Sequence, residues 1–316
     1  MPLFGGYEQS GPGIAKDAPK KKPFFRFWEI VGRKFWKLLE LNLLMMCLMI
    51  PLAIGGAAIL LLSERNTTAA IAIMSVMGLV FAVLFGPWMA GTAQVLRKFT
   101  LEKPCFMMQT FFRAFKSSFK QACPMGLIDL LVLSSAASGS YVYPLFIQRL
   151  KETGESGSLV YYILFIAALS IAFVVIMMSF YAYLMMVSTD LSFKNIMKNS
   201  LALTFIALKR NLLTLLLAGL VMVVFTVLAI YFPYIMIFVL LFMPSSFAAF
   251  IVVFNSYPVI QKYVVDPYYA QLGEVNPEMS FTETEGENVF EDQGGKEKPI
   301  EAPASKKKSR KGKIVS

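Results

Sequence analysis

The chain alternates between long apolar runs and short polar segments, and the runs have the length and composition of membrane-spanning helices. Leu38 to Leu62, Thr68 to Val95, Met125 to Ile147 and Leu159 to Val187 are each nearly free of charge. Each is long enough to cross a hydrocarbon layer that needs roughly 20 helical residues. Leu212 to Val265 is too long for one crossing and must fold back, with Tyr231-Phe232-Pro233-Tyr234 as the expected break. This predicts about six spans, over 38–62, 68–95, 125–147, 159–187, 212–232 and 234–259. Pro51 and Gly55-Gly56 interrupt the first, Gly86-Pro87 predicts a kink in the second, and Pro244-Ser245-Ser246 falls inside the sixth. The first run is too long for a signal-peptide core and lacks a small-residue cleavage site, so it reads as a retained span.

The flanks have different patterns. Residues 1–23 are rich in Gly, Pro and Lys and read as a flexible basic arm. From Phe24 to Lys37 aromatic rings interleave with cations, the pattern of a helix at or entering the headgroup layer. The transmembrane domain is expected over 24–265. Beyond it, 266–316 passes from acidic to basic and reads as a disordered charged tail.

Composition narrows the class. With 57% hydrophobic residues, the chain has more apolar side chains than a soluble core hides, which predicts an all-α, polytopic transmembrane helical bundle. The formal net charge of +10 comes from cations gathered in a few segments rather than spread as a nucleic-acid surface, so no nucleic acid is expected as a partner. These segments are the N-terminal arm, the stretch after the second span, the stretch after the fourth, and the C-terminal end. With six spans all of them fall on one side, which places both termini in the cytoplasm. The chain contains no histidine, which removes the commonest neutral-pH base, the HExxH zinc motif and the Ser-His-Asp triad. Cys47, Cys105 and Cys123 lie far apart without CxxC spacing and suggest neither a disulfide framework nor a zinc site. No cofactor or metal is expected, and no nucleophile-base set points to an enzyme.

Two basic amphipathic segments are the candidates for contact. Over Thr110 to Gln121, Phe111, Phe112, Phe115 and Phe119 form a stripe, with Arg113, Lys116 and Lys120 opposite it. Over Phe193 to Arg210, Phe193, Ile196, Met197, Leu201, Thr204 and Leu208 share a face, with Lys194, Lys198 and Lys209 along its edge and Arg210 at the end. Such helices suit the cytoplasmic interface, with rings in the acyl boundary and cations at anionic headgroups. They serve either as topology determinants or as docking surfaces for a partner or a phosphorylated headgroup. Phe115-Lys116-x-x-Phe119-Lys120-Gln121 also echoes Phe193-Lys194-x-x-Met197-Lys198-Asn199. Glu40, Asp129 and Asp190 are the carboxylates nearest apolar segments; each lies toward the cytoplasmic end of a span and reads as an interfacial group, solvated or lysine-paired. Gly55-Gly56, Gly86-Pro87, Gly139 and Pro144 fit broken helices around a substrate site, or ordinary membrane-helix composition.

The order of features resembles the YesL-type bacterial integral membrane proteins, whose shared domain has no known function. The resemblance rests on the lead-in Phe24 to Lys37, on Leu41-Asn42-Leu43-Leu44, on the Gly86-Pro87 to Ala93 segment, and on Arg97 to Gln121 with its Phe-x-x-x-Phe-Lys helix. It covers about 24–265 and implies a multi-pass protein of the bacterial cytoplasmic membrane. The implied role is accessory or regulatory, in solute and especially carbohydrate uptake, with transporter subunits as partners. The resemblance supplies no catalytic or ligand residues. A small transporter in its own right is the alternative.

Overall fold

In the computed structural model, which describes residues 22–153, 158–232, 234, 244–274, 276 and 278, every element is helical. Helix α1 (Pro23–Cys47) starts with a proline, whose missing N–H costs nothing in a first turn where no intrahelical acceptor waits for it. After a 44° bend the chain continues as α2 (Ile50–Leu62), where Pro51 again occupies the first turn and Gly55 and Gly56 lie within the helix. Thus Pro51 sits at the break expected in the first span, and the glycine pair does not interrupt it. Asn66 then opens α3 (Thr67–Thr100), its side chain accepting the Ala69 N–H at 3.0 Å as an N-cap.

Helix α3 runs unbroken through Pro87 for 34 residues, and α4 (Met107–Thr153) has 47. At a rise of about 1.5 Å per residue they are roughly 50 and 70 Å long, well beyond a hydrocarbon core of about 30 Å. Both therefore project out of the bilayer. Helices α5 (Ser158–Ser188), α6 (Phe193–Ile206), α7 (Leu208–Tyr231) and α8 (Pro244–Ile260) follow. A π-helical turn, Gln261–Val265, joins α8 to α9 (Asp266–Leu272), which ends on Gly273 in the left-handed conformation, φ 67°. The first residues of the expected C-terminal tail are therefore helical, and those of the N-terminal arm before Lys22 lie outside the described residues.

Five helices are each long and apolar enough to cross a membrane, and the bent pair α1–α2 brings the number to six. The protein is an all-α, multi-pass membrane bundle. The stretch from α8 through α9 is its centre: half of its most apolar window is buried, against 11–17% in the other four candidate spans. Those four leave side chains such as Leu79, Leu131, Ile166 and Leu216 exposed, as α2 does Leu60, an apolar surface suited to lipid rather than water.

Close backbone approach sets the α3–α4 crossing. A Cβ on Gly86 would stand 1.8 Å from the Ala122 carbonyl oxygen, and one on Gly126 would stand 2.5 Å from the Gly86 nitrogen. Gly86 thus serves the crossing, as small residues do between membrane helices, where no water-driven term pulls helices together. A second constraint links α1 to α8. Asn42, fully buried, accepts the backbone N–H groups of Ser245 and Ser246, each at 3.2 Å. Pro244 and Ser246 are buried as well, so Asn42 ties α1 to α8 inside the bundle.

Candidate functional site

One end of the bundle gathers the cation-rich segments. Helix α1 reaches the α3–α4 turn through Arg26, which donates to Glu102 Oε1 at 3.0 Å and to the Thr100 carbonyl at 3.1 Å. Arg33 takes the other Glu102 oxygen, and Lys37 donates to the Cys105 carbonyl at 3.1 Å. Glu102 is held with φ 57°, a left-handed backbone conformation unusual for a residue with a side chain. Burial alone would raise its carboxyl pKa, but the hydrogen bonds and charges of Arg33 and Arg26 outweigh that and hold it below the usual carboxylate range. Gln121 of α4 donates to the Leu191 carbonyl at 3.1 Å, which brings the α5–α6 turn to the same end.

The arrangement at the α4 start differs from the expected interfacial helix. Thr110 to Gln121 forms the first turns of α4, and its aromatic stripe faces protein. Phe111 is fully buried, with its ring 5.3 Å from Trp88, and Phe115 lies 6.0 Å from the same ring. Phe119 continues the row at 5.8 Å from Phe115, while Phe112 leaves it and is exposed. The helical spacing was legible, but the stripe packs on α3 instead of entering the acyl boundary. Arg113, Lys116 and Lys120 are exposed, as expected for the opposite face.

Helix α6 buries Ile196, Ser200, Leu203 and Thr204, so its inward face is rotated from the expected one and leaves Leu201 exposed, as is Leu208 at the start of α7. The chain breaks at Ala207, and Asn211 spans the break: its amide donates to the Thr204 carbonyl at 3.0 Å, and its oxygen accepts from Tyr181. Lys194, Lys198, Lys209 and Arg210 are exposed. Lys209 and Arg210 join Lys262 around a cleft of about 510 Å³ between the α6–α7 break and the end of α8. None of the seven candidate cations forms an ion pair among the described residues.

Arg97, read from the sequence as one more cation after the second span, has a different role. It is buried in α3 and pairs with Glu278, their side chains only 5% and 6% exposed. Tyr257 of α8 donates to the same carboxylate, and its ring lies 5.2 Å from the guanidinium. Gln94 accepts a further Arg97 hydrogen bond at 3.1 Å. Asn276 is buried too; it donates to Asp266 at 3.0 Å and accepts the Glu278 N–H at 2.9 Å. A short stretch of the expected tail is thereby held in the end of the bundle. Nearby Lys103 has its pKa lowered, first by burial and further by Arg97 and Lys98, against the opposing pull of Glu278.

The three candidate carboxylates separate. Glu40 and Asp190 are exposed. Asp129, expected to be solvated or lysine-paired, is instead 4% exposed, with hydroxyls of α5 as its partners. Ser179 donates to one carboxylate oxygen at 2.7 Å and Tyr183 to the other at 2.6 Å. Asp129 stands eight residues beyond Gln121, or about 12 Å farther along α4. Ser179 and Tyr183, four residues apart on α5, share a helix face and are the partners the sequence reading missed; two polar groups one turn apart in an apolar run were the available signal.

Asp129 lines a cavity of about 220 Å³ between α3, α4, α5 and α8, whose walls are otherwise mostly apolar: Phe85, Met89 and Leu96 of α3, Val175 and Phe180 of α5, and Val252 of α8 among them. No cluster of three His, Cys, Asp or Glu side chains able to hold a metal ion occurs among the described residues. Gly139 and Pro144 lie within continuous α4 and do not border this cavity.

Comparison with protein-family models, with curated proteins and with solved structures finds no match to this chain.

Proposed function

We propose that this protein is a non-enzymatic accessory or regulatory component of a solute-transport system, of the YesL type, in the cytoplasmic membrane of a bacterium. Carbohydrate is the solute class the resemblance implies. The observation that carries the reading is the basic end of the bundle. Arg113, Lys116 and Lys120 on α4 and Lys194, Lys198, Lys209 and Arg210 on α6–α7 stand exposed there, without ion pairs among the described residues, on a scaffold clamped by Glu102 and Glu278. Cations held on rigid helices present a fixed charge pattern, suited to steering and orienting an acidic partner surface. The same pattern attracts anionic headgroups, so membrane and partner are contacted by one face.

The test is isolation of the full-length tagged protein from its native membranes in mild detergent. The reading expects a transport permease or transport ATPase subunit in fixed proportion, lost when Lys116, Lys120, Lys194 and Lys198 are changed to Glu while the protein still inserts. A homogeneous preparation without such a subunit overturns it.

A second reading, a small transporter, draws on Asp129. A buried carboxylate beside a cavity between spanning helices is the arrangement in which intramembrane charges serve substrate or ion passage. Uptake by the purified protein in liposomes tests this, and failure across a broad panel of solutes removes it.

A further inference from the structure

Asp129 bridges α4 to α5 through Ser179 and Tyr183, a task that a neutral asparagine would perform without placing a charge at membrane depth. The carboxylate is buried, both of its oxygens are engaged by neutral hydroxyls, and it forms no ion pair with a cation among the described residues. Beside it lies the cavity of about 220 Å³. For scale, an engineered apolar cavity of about 150 Å³ admits benzene, so this one holds one ring with a short substituent.

The chemistry of the walls selects among cations. A hard metal ion prefers about six oxygen ligands; here only Asp129, Thr92, Ser179 and Tyr183 bring side-chain oxygens to the lining, and the other walls are apolar. An organic ammonium brings its own apolar body. It replaces lost hydration with wall contact, places its charge at the carboxylate, and meets the aromatic side chains of Phe85 and Phe180.

We propose that the Asp129 cavity is a binding site for a small lipophilic organic cation, with Asp129 as its counter-ion. The site is the one the transporter reading draws on, but binding is claimed whether or not the cation is carried across the membrane.

The test is equilibrium binding of radiolabelled benzyltrimethylammonium to the full-length protein in nanodiscs of zwitterionic lipid. Neopentylbenzene, which replaces the nitrogen by carbon at equal shape, is the competitor. The proposal expects saturable binding at one site per chain, with the neutral isostere weaker by at least about tenfold. Asp129→Asn, which keeps an oxygen able to accept from a hydroxyl, is expected to lose binding by a similar factor, while Glu40→Gln at an exposed carboxylate leaves it unchanged. Absence of saturable binding to the wild-type protein overturns the site. Equal binding of cation and isostere reduces it to an apolar void and overturns the counter-ion role, a result obtained without any variant. Unaltered affinity in folded Asp129→Asn overturns the assignment to Asp129.

Discussion

Arg97 and Glu278, separated by 181 positions in the chain, meet as a buried ion pair that ties the segment after α9 to the outer turn of α3. Tyr257 completes the site by donating to the same carboxylate. Opposite charges removed from water stabilise a structure only while both remain, because loss of one leaves the other desolvated and uncompensated. Glu278→Gln keeps the shape and removes the charge, and is expected to cost about 3–5 kcal/mol. Thermal unfolding in detergent should show a clear fall in melting temperature. Adding Arg97→Met to Glu278→Gln should cost less than the two single changes summed. A Glu278→Gln protein that melts with the wild type would mean that the pair does not hold this end of the bundle.

Glu102 carries the second clamp and is accessible to pH. Its pKa in the folded protein lies below the ordinary value of 4.5, because the arginines outweigh its burial. Its contribution is therefore present above the ordinary value and lost as pH falls through the lowered one. With side chains 35–48% exposed, solvent screening keeps this within about 1 kcal/mol. Wild type should melt above Glu102→Gln at pH 7, and the difference should close as the pH falls below the ordinary carboxylate range. A constant difference over that acidification would assign the effect to the backbone conformation at Glu102 instead of its charge.

The α3–α4 crossing predicts a contrast among glycines. At Gly86 and Gly126 an added methyl meets backbone, which has no rotamer with which to yield. Alanine at either should force the helices apart and destabilise the protein by at least about 1–3 kcal/mol, the usual overpacking cost. At Gly56 and Gly219 a methyl would find nothing within 4 Å, and alanine there should be neutral or stabilising by roughly 0.4–1 kcal/mol. Parallel melts of the four variants check this ordering.

The fold was legible where a single physical rule governs a long stretch. Hydropathy gave the all-α membrane bundle because a bilayer admits few other backbone arrangements, and the phenylalanine spacing at 111, 115 and 119 correctly gave a helix. What that helix faces was not legible, since an apolar stripe suits lipid and protein equally; Trp88 decides it. The site was harder still. Asp129, Ser179 and Tyr183 lie on two helices, and Arg97, Tyr257 and Glu278 on three segments, so their union depends on packing that local pattern does not encode. Arg97 looks like a topology signal because a cation beside a span ordinarily is one, while its partner lies in a stretch whose composition is that of a solvated tail. Asn42 stands out in the sequence only as part of an apolar motif, and its hydrogen bonds to Ser245 and Ser246 join parts of the chain that pattern alone does not pair.

The proposed function requires a six-crossing bundle whose basic end faces the cytoplasm. Cysteine accessibility in intact cells tests it most directly, after replacement of Cys47, Cys105 and Cys123. Single cysteines at Arg65 and Glu152, at the turns opposite the basic end, should react with a membrane-impermeant maleimide from outside. Cysteines at Lys116, Lys198 and Gly273 should react only after permeabilisation. Labelling of the 116 or 198 position in intact cells, or protection of the 65 position, would contradict the account.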